Sequence, residues 1–148
     1  MLTSIMQMLS GESETSPQDQ EHVARVAIAA ILIEAAMADG IYATEEQSLI
    51  GQILSRRFNL SPTEAEALRA EGHAAQSDAT DLVRFTRVVK DAVPYEERVG
   101  VIEAVWRVIY ADGDRDYEES ALVCKLCGLL YIPDKDAGLA RQRVLAEG

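Results

Sequence analysis

The chain has 148 residues, 48% of them hydrophobic, and a formal net charge of −11. This length is typical of one domain with its own core, and this composition argues against disorder of the whole chain. The charge makes nucleic acids and anionic membrane surfaces poor partners, because an acidic surface repels their phosphates. Cations and basic protein surfaces are the partners that such a field favours.

The sequence contains no targeting or membrane signal. Its first ten residues include no basic residue, and the longest apolar run covers only 26–33, far short of the roughly 20 residues that a spanning helix needs. Two cysteines, Cys124 and Cys127, are fewer than a small secreted domain held by disulfides would carry. We therefore expect a cytoplasmic protein without an integral membrane segment.

The chain begins with a predicted amphipathic arm. Leu2, Ile5, Met6 and Leu9 recur at helical spacing, and a polar linker follows up to residue 16. The arm has no basic face of the kind that membrane-surface helices use, although peripheral association through it stays open.

Ser16-Pro17 predicts the start of the first long helix, with a hydroxyl cap followed by proline in the first turn. We expect this helix to run to about Ala38 and to end at Asp39-Gly40, where glycine allows a left-handed cap. Between 26 and 38 its residues are apolar on nearly every side. Such a helix belongs in the middle of a bundle.

Six further helices are predicted from capping residues and apolar spacing. Thr44 and Gln47 form a capping box that starts the second helix, and the third ends at about Ala75. The later starts are Ser61-Pro62 for the third helix, Ser77 or Asp78 for the fourth, Pro94 for the fifth, Tyr117 for the sixth and Pro133-Asp134 for the last. Since no segment predicts a strand, we expect an all-α, single-domain bundle of about seven helices over residues 17–148.

The two most apolar helices end in the same sequence. Ala-Asp-Gly occurs at 38–40 and again at 111–113, and Glu-Glu occurs at 45–46 and again at 118–119, each at an offset of 73 residues. This repetition predicts a duplicated helix–acidic loop–helix core. We expect the two units to pack about a pseudo-twofold axis, with the third, fourth and seventh helices as additions.

The acidic loops are the candidate site. A short loop between two helices can bring together Asp39 with Glu46, and likewise Asp112 with Glu119. Calcium, magnesium and manganese prefer several converging oxygen ligands of this kind. The predicted metal ligands are the carboxylates of both loops and of the helix turns after them: Asp39, Glu46, Asp112, Asp114, Asp116 and Glu119.

The second loop is the better candidate, because Asp114 and Asp116 stand where the first loop has Ile41 and Ala43. Helix capping explains the same pattern without an ion. Glycine commonly ends a helix, and glutamates in a first turn favour the helix dipole. Both interpretations stay open at this point.

The doubled motif resembles the tellurite resistance protein B (TerB) family, and most closely its TerB-like bacterial members of unknown function. The resemblance also includes Tyr-Glu-Glu-Arg at 95–98 and Val-Trp-Arg-Val-Ile-Tyr at 105–110, and it covers about residues 17–146. It implies an all-helical fold with a duplicated core and a role in stress or tellurite response together with other proteins. It also implies divalent metal at Asp39, Glu46, Asp112 and Glu119.

Three other features have mainly structural interpretations. Cys124 and Cys127 lie inside a predicted helix, which favours core or semi-buried thiols over a redox pair. Glu34 and Arg107 occupy equivalent repeat positions and could pair, but separate partners, such as Glu103 for Arg107, are favoured. The aromatic residues at core-like positions predict packing: Phe58, Trp106, Tyr110 and Tyr131.

No nucleophile–base pair and no phosphate-binding glycine loop is visible in the sequence. We therefore expect a non-catalytic module that binds a divalent cation and unidentified protein partners, in an oligomeric state that the sequence does not give. The alternative is a metal-independent adaptor that holds a basic or helical partner with its acidic surface and arm. A hydrolase built on carboxylates and a metal ranks third.

Overall fold

The structure is a computed structural model that describes residues 17–38, 42–78, 82–111 and 117–147, with the backbone alone for 117–120. The predicted arm, 1–16, lies outside the described residues. Within them the chain forms seven helices and no strand, which confirms the all-α prediction. The helices are α1 (Pro17–Ala36), α2 (Thr44–Phe58), α3 (Pro62–Asp78), α4 (Leu82–Ala92), α5 (Tyr95–Ala111), α6 (Tyr117–Leu129) and α7 (Asp134–Glu147).

Helix α1 forms the centre of the bundle. From Val23 to Ala36 every residue is buried except Arg25 and Glu34, and the helix packs against α2, α3, α4 and α5. The helix is two residues shorter than predicted, because its end tightens into a turn in which the Ala38 amide donates to Ala35 O at 3.3 Å. The apolar residues on every side therefore predicted its central position correctly.

Helices α1 and α3 approach closely where small side chains face each other. A Cβ placed on Gly72 would lie 2.5 Å from Ala29 Cβ and 3.1 Å from the Ala29 carbonyl carbon. These distances are too short for any side chain at position 72. The glycine therefore sets the spacing between the central helix and α3.

The outer helices pack in two sets. Helix α2 packs against α3 and α5, whereas α5 also packs against α6 and α7.

Both α2 and α6 are followed by a left-handed residue, Asn59 (φ 54°) and Tyr131 (φ 58°). In both turns the next amide donates to the carbonyl five residues back, Leu60 to Ser55 and Ile132 to Cys127, each at 2.9 Å. The pseudo-twofold relation between the two units stays a prediction.

One predicted cap is confirmed in detail. Ser61 caps α3: its Oγ accepts the Glu64 amide at 3.1 Å, and Glu64 Oε1 accepts the Ser61 amide at 2.9 Å. These hydrogen bonds to the ionised form hold the pKa of Glu64 below its usual value.

Two predicted caps are wrong. Ala43, not Thr44, is the N-cap of α2, since Glu46 rather than Gln47 accepts the cap amide, at 3.2 Å. Neither Ser77 nor Asp78 caps α4, because α3 continues beyond Ala75 and ends only at Asp78. The burial of Gln76 against α1 explains the longer helix.

The close approach at Gly72 gives a prediction with a matched control. Gly72→Ala should lower the free energy of unfolding by about 1–3 kcal/mol, because the new methyl group overlaps Ala29. Gly51→Ala, with nothing within 4 Å of its new Cβ, should raise it by about 0.5–1 kcal/mol. Urea unfolding followed by circular dichroism measures both. Equal shifts in the two variants would contradict the proposed overlap.

Candidate functional site

The start of α2 and the end of α5 line one groove. Its lining includes Ala43, Glu45 and Glu46 from the start of α2 and Ala111 from the end of α5. Ala43 lies just after the first acidic loop, and Ala111 immediately precedes Asp112 in the chain. The fold therefore brings the exit of the first loop close to the entrance of the second. We name this surface the loop groove; it is lined by Ala43, Thr44, Glu45, Glu46, Ser48, Leu49, Gln52 and Ala111.

Glu46 is the one predicted ligand whose side chain is described. It is half-buried in the first turn of α2, and its Oε1 accepts the Ala43 amide at 3.2 Å. A carboxylate has about four lone-pair sites, so capping a helix and binding an ion are compatible. Carboxylate oxygens are also the ligands that hard divalent cations select.

The other predicted ligands lie outside the described side chains: Asp39, Asp112, Asp114, Asp116 and Glu119. Within the described part of the chain, no three His, Cys, Asp or Glu residues are grouped so that they could hold a metal ion. The six-residue metal site therefore stays a prediction, and the capping interpretation has direct support at Glu46.

An interaction that sequence analysis missed holds Tyr42, the residue before Ala43 of the loop groove. Arg69 of α3 donates through Nη1 to the Tyr42 hydroxyl at 2.9 Å, and through Nε to Glu66 at 2.8 Å. Arg69 is only 9% exposed, and the Tyr42 ring meets His73 edge-on at 5.2 Å. Burial raises the pKa of Tyr42, so this hydroxyl stays protonated at neutral pH.

A second tyrosine, the residue before Ala111 of the loop groove, is held in the same way. Arg141 of α7 donates through Nε to the Tyr110 hydroxyl at 2.6 Å. Its guanidinium also lies 5.6 Å from the ring centre of Trp106, and Trp106 stacks on Tyr110 with centroids 5.5 Å apart. We call the Arg69–Tyr42 and Arg141–Tyr110 pairs the two tyrosine clamps.

The predicted packing of the aromatic residues is confirmed for three of four. Trp106 is buried, and Phe58 and Tyr110 are half-buried. Tyr131 is 67% exposed, so its predicted core position is wrong. Its left-handed conformation after α6 turns the ring outwards, where Lys90 Nζ lies 4.5 Å from the ring centre.

The interpretation that Glu34 and Arg107 have separate partners is confirmed. Glu34 accepts from Gln76 Nε2 at 2.7 Å. Arg107 is held by Glu147 at 2.6 Å and lies 3.7 Å from Glu103. Glu34 therefore links α1 to α3, and Arg107 links α5 to α7.

The two cysteines have different surroundings. Both are free thiols; Cys127 is buried, whereas Cys124 is exposed, contrary to the prediction for that residue. The difference arises because α6 is covered on one side, by α4 and α5. Burial raises the pKa of Cys127 to about 11, which is the opposite of an activated thiol.

The described helices thus define an all-α protein in which residues next to the two acidic loops line one groove. The family model of tellurite resistance protein TerB matches residues 25–142, which is 118 of the 148 residues. The chain belongs to the TerB family, as the resemblance in its motifs predicted. No curated protein and no solved structure matches it.

A separate finding concerns membranes. None of the described helices is both long and apolar enough to cross one.

The cysteine surroundings give a test by chemical labelling. In the native protein at pH 8, iodoacetamide should label Cys124 rapidly and Cys127 slowly, since only about one Cys127 thiol in a thousand is ionised when its pKa is about 11. Mass spectrometry should find one added group, which Cys124→Ser removes and Cys127→Ser retains. Rapid double labelling would contradict the burial of Cys127.

Proposed function

We propose that this chain is a non-catalytic module that binds a divalent cation, calcium, magnesium or manganese, at its two acidic loops. The observation that carries the proposal is the loop groove, where residues next to both loops line one surface. Membership of the TerB family supports a role linked to tellurite resistance. A wider role in stress response, together with protein partners, is part of the same proposal.

The electrostatics of the groove support a cation. The N-terminus of α2 contributes about half a positive charge. Glu45 and Glu46 lie in that same first turn and line the groove, so two full negative charges outweigh the helix dipole. The net charge of −11 adds a long-range attraction for cations.

One observation favours the metal-independent adaptor as a second candidate. Glu46 already accepts the Ala43 amide, as a helix cap does. If both glutamate pairs act only as caps, the acidic surface would serve to hold a basic protein partner.

Thermal unfolding with millimolar calcium, magnesium, manganese or no added cation distinguishes the two candidates. A cation at 100 times its dissociation constant should stabilise the wild-type chain by about 2.7 kcal/mol. Asp112→Ala/Glu119→Ala should abolish that gain, because it removes one predicted ligand from each side of the second loop.

The matched control is Asp91→Ala/Glu96→Ala. It removes the same two charges from exposed positions, and Glu96 lies about 22 Å from the groove end of α5. This control should keep the stabilisation. Equal loss in both double variants would reduce the effect to net charge, and no stabilisation by any cation in wild type would favour the adaptor.

Glu46→Gln distinguishes a capping role of the Glu46 side chain from a role as a metal ligand. Glutamine keeps an oxygen that can accept the Ala43 amide but removes the carboxylate charge that a hard cation requires. Without cation the variant should unfold within about 1 kcal/mol of wild type, yet isothermal titration should find weaker cation binding. Unchanged affinity would make Glu46 a cap alone.

A further inference from the structure

One pocket of this acidic protein is lined mainly by arginine charges. It lies between α2, α5 and the end of α7 and has a volume of about 370 Å³. Arg56, Arg57 and Arg107 meet there, and Glu147 is the one acidic residue of the described lining. We name the space between these four side chains the arginine pocket. It contrasts with a chain that has 14 basic and 25 acidic residues.

Arg57 is fixed in the pocket by the backbone of α5. Its Nη2 donates to Glu97 O at 2.6 Å, and a Cβ on Gly100 would lie only 2.9 Å from its Nη1. The absence of a side chain at Gly100 therefore leaves the space that the guanidinium occupies. Burial is the main cause that lowers the pKa of Arg57, and the like charge of Arg107 lowers it further. An anion beside both guanidiniums would offset their repulsion.

In the structure, the anion at this pocket is the carboxylate of Glu147. Arg107 donates to it through Nε at 2.9 Å and through Nη2 at 2.6 Å. This paired geometry is the one that arginine also offers to phosphate. The bonds from Arg107, together with the charge of Arg56, hold the pKa of Glu147 below its usual value. The pocket therefore already binds an oxygen anion of its own chain.

Glu147 is a ligand that a stronger anion can displace. It is the last residue of α7, where the negative end of the helix dipole disfavours a carboxylate. Its side chain is 52% exposed, and exposed ion pairs contribute little to stability. A dianion could form the same paired bonds with Arg107 and carry twice the charge towards Arg56 and Arg57.

We propose that Arg56, Arg57 and Arg107 form a binding site for a phosphate group, and that Glu147 occupies this site until the anion displaces it. The chemistry selects a dianionic oxyanion, either free phosphate or the phosphate of a small ester, because its oxygens match the planar fork of arginine. The volume of the pocket is within the range of small-molecule sites.

This inference goes beyond the proposed function. None of the charged residues of the arginine pocket lines the loop groove, although Leu49 and Gln52 belong to both linings. The phosphate site also requires no divalent cation. The two proposals can therefore fail separately.

Titration with sodium phosphate at pH 8 and constant ionic strength, without divalent cations, tests the site. In NMR spectra of the ¹⁵N-labelled protein, the side-chain Nε signals of Arg57 and Arg107 should shift and saturate. Arg107→Gln should weaken phosphate affinity by about tenfold, the scale of one lost charge-assisted contact. Arg56→Gln, at an exposed position, should weaken it by about two- to fivefold, the range for an exposed ion pair.

Arg87→Gln is the matched control for these variants. It removes the same charge from an exposed position on α4 that does not line the arginine pocket. This variant should keep the wild-type affinity. Equal weakening in Arg87→Gln and in the pocket variants would assign the effect to net charge and overturn the inference.

Glu147→Gln tests the displacement. It removes the competing carboxylate, so phosphate affinity should rise by about two- to fivefold. The matched control is Glu21→Gln, because Glu21 also forms an exposed ion pair, with Arg25 at 2.7 Å, but lies outside the arginine pocket. Equal gains in both variants would overturn the displacement by Glu147.

Glycerol phosphate in place of inorganic phosphate distinguishes the two sources of the anion. Tighter binding of the ester would support a small phosphate ester as the ligand, and tighter binding of the free ion would support inorganic phosphate.

Thermal unfolding in chloride checks that each variant is folded, and Arg56→Gln decides if Arg107→Gln is not. No saturable shift with either anion in wild type would overturn the inference and leave the proposed cation site unaffected. Wild-type affinity in both pocket variants would overturn it as well.

Discussion

The constraint on which the rest of the structure depends is the complete burial of α1 between 26 and 33. Each large aliphatic side chain on that segment gains about 1.5–3 kcal/mol by leaving water, so the helix must be covered on all sides. Four other helices supply that cover. Gly72 allows α3 to approach α1 closely. Gln76, also on α3, donates a hydrogen bond to the polar Glu34 of α1. The positions of these four helices follow from this requirement, whereas α6 and α7 pack mainly on α5.

The candidate site is a consequence of that packing. Because α5 also packs on α1, and α2 lies against α5, the start of α2 comes beside the end of α5. Two loops far apart in the sequence therefore have neighbouring ends. Helices α3 and α7 reach the residues next to those ends through Arg69 and Arg141. Sequence analysis treated α3 and α7 as additions to the core, yet these two helices supply the hydrogen bonds to the tyrosines beside the groove.

The sequence predicted the features that depend on local periodicity and composition. Seven helices and the central place of α1 follow from apolar spacing, and the Ser61 cap follows from a hydroxyl three residues before Glu64. The prediction failed at the α2 cap because adjacent acceptors, Glu46 and Gln47, offer two registers of the same box, and at Tyr131 because its left-handed conformation exposes the ring. The clamps join residues 27 and 31 positions apart, and no local pattern marks such pairs. The acidic residues were found through repetition alone, which identifies candidates without their geometry.

Trp106 is the chain's single tryptophan, and it belongs to the surroundings of the Tyr110 clamp. It is 5% exposed, stacks on Tyr110 and has a guanidinium over its ring. The fluorescence of an indole depends on such close neighbours, and a lone tryptophan emits without overlap from others. The protein therefore contains an intrinsic optical reporter at the Arg141–Tyr110 clamp, with no equivalent at the Arg69–Tyr42 clamp. A change in emission from unlabelled protein would thus report on the contacts of Trp106 with Tyr110 and Arg141.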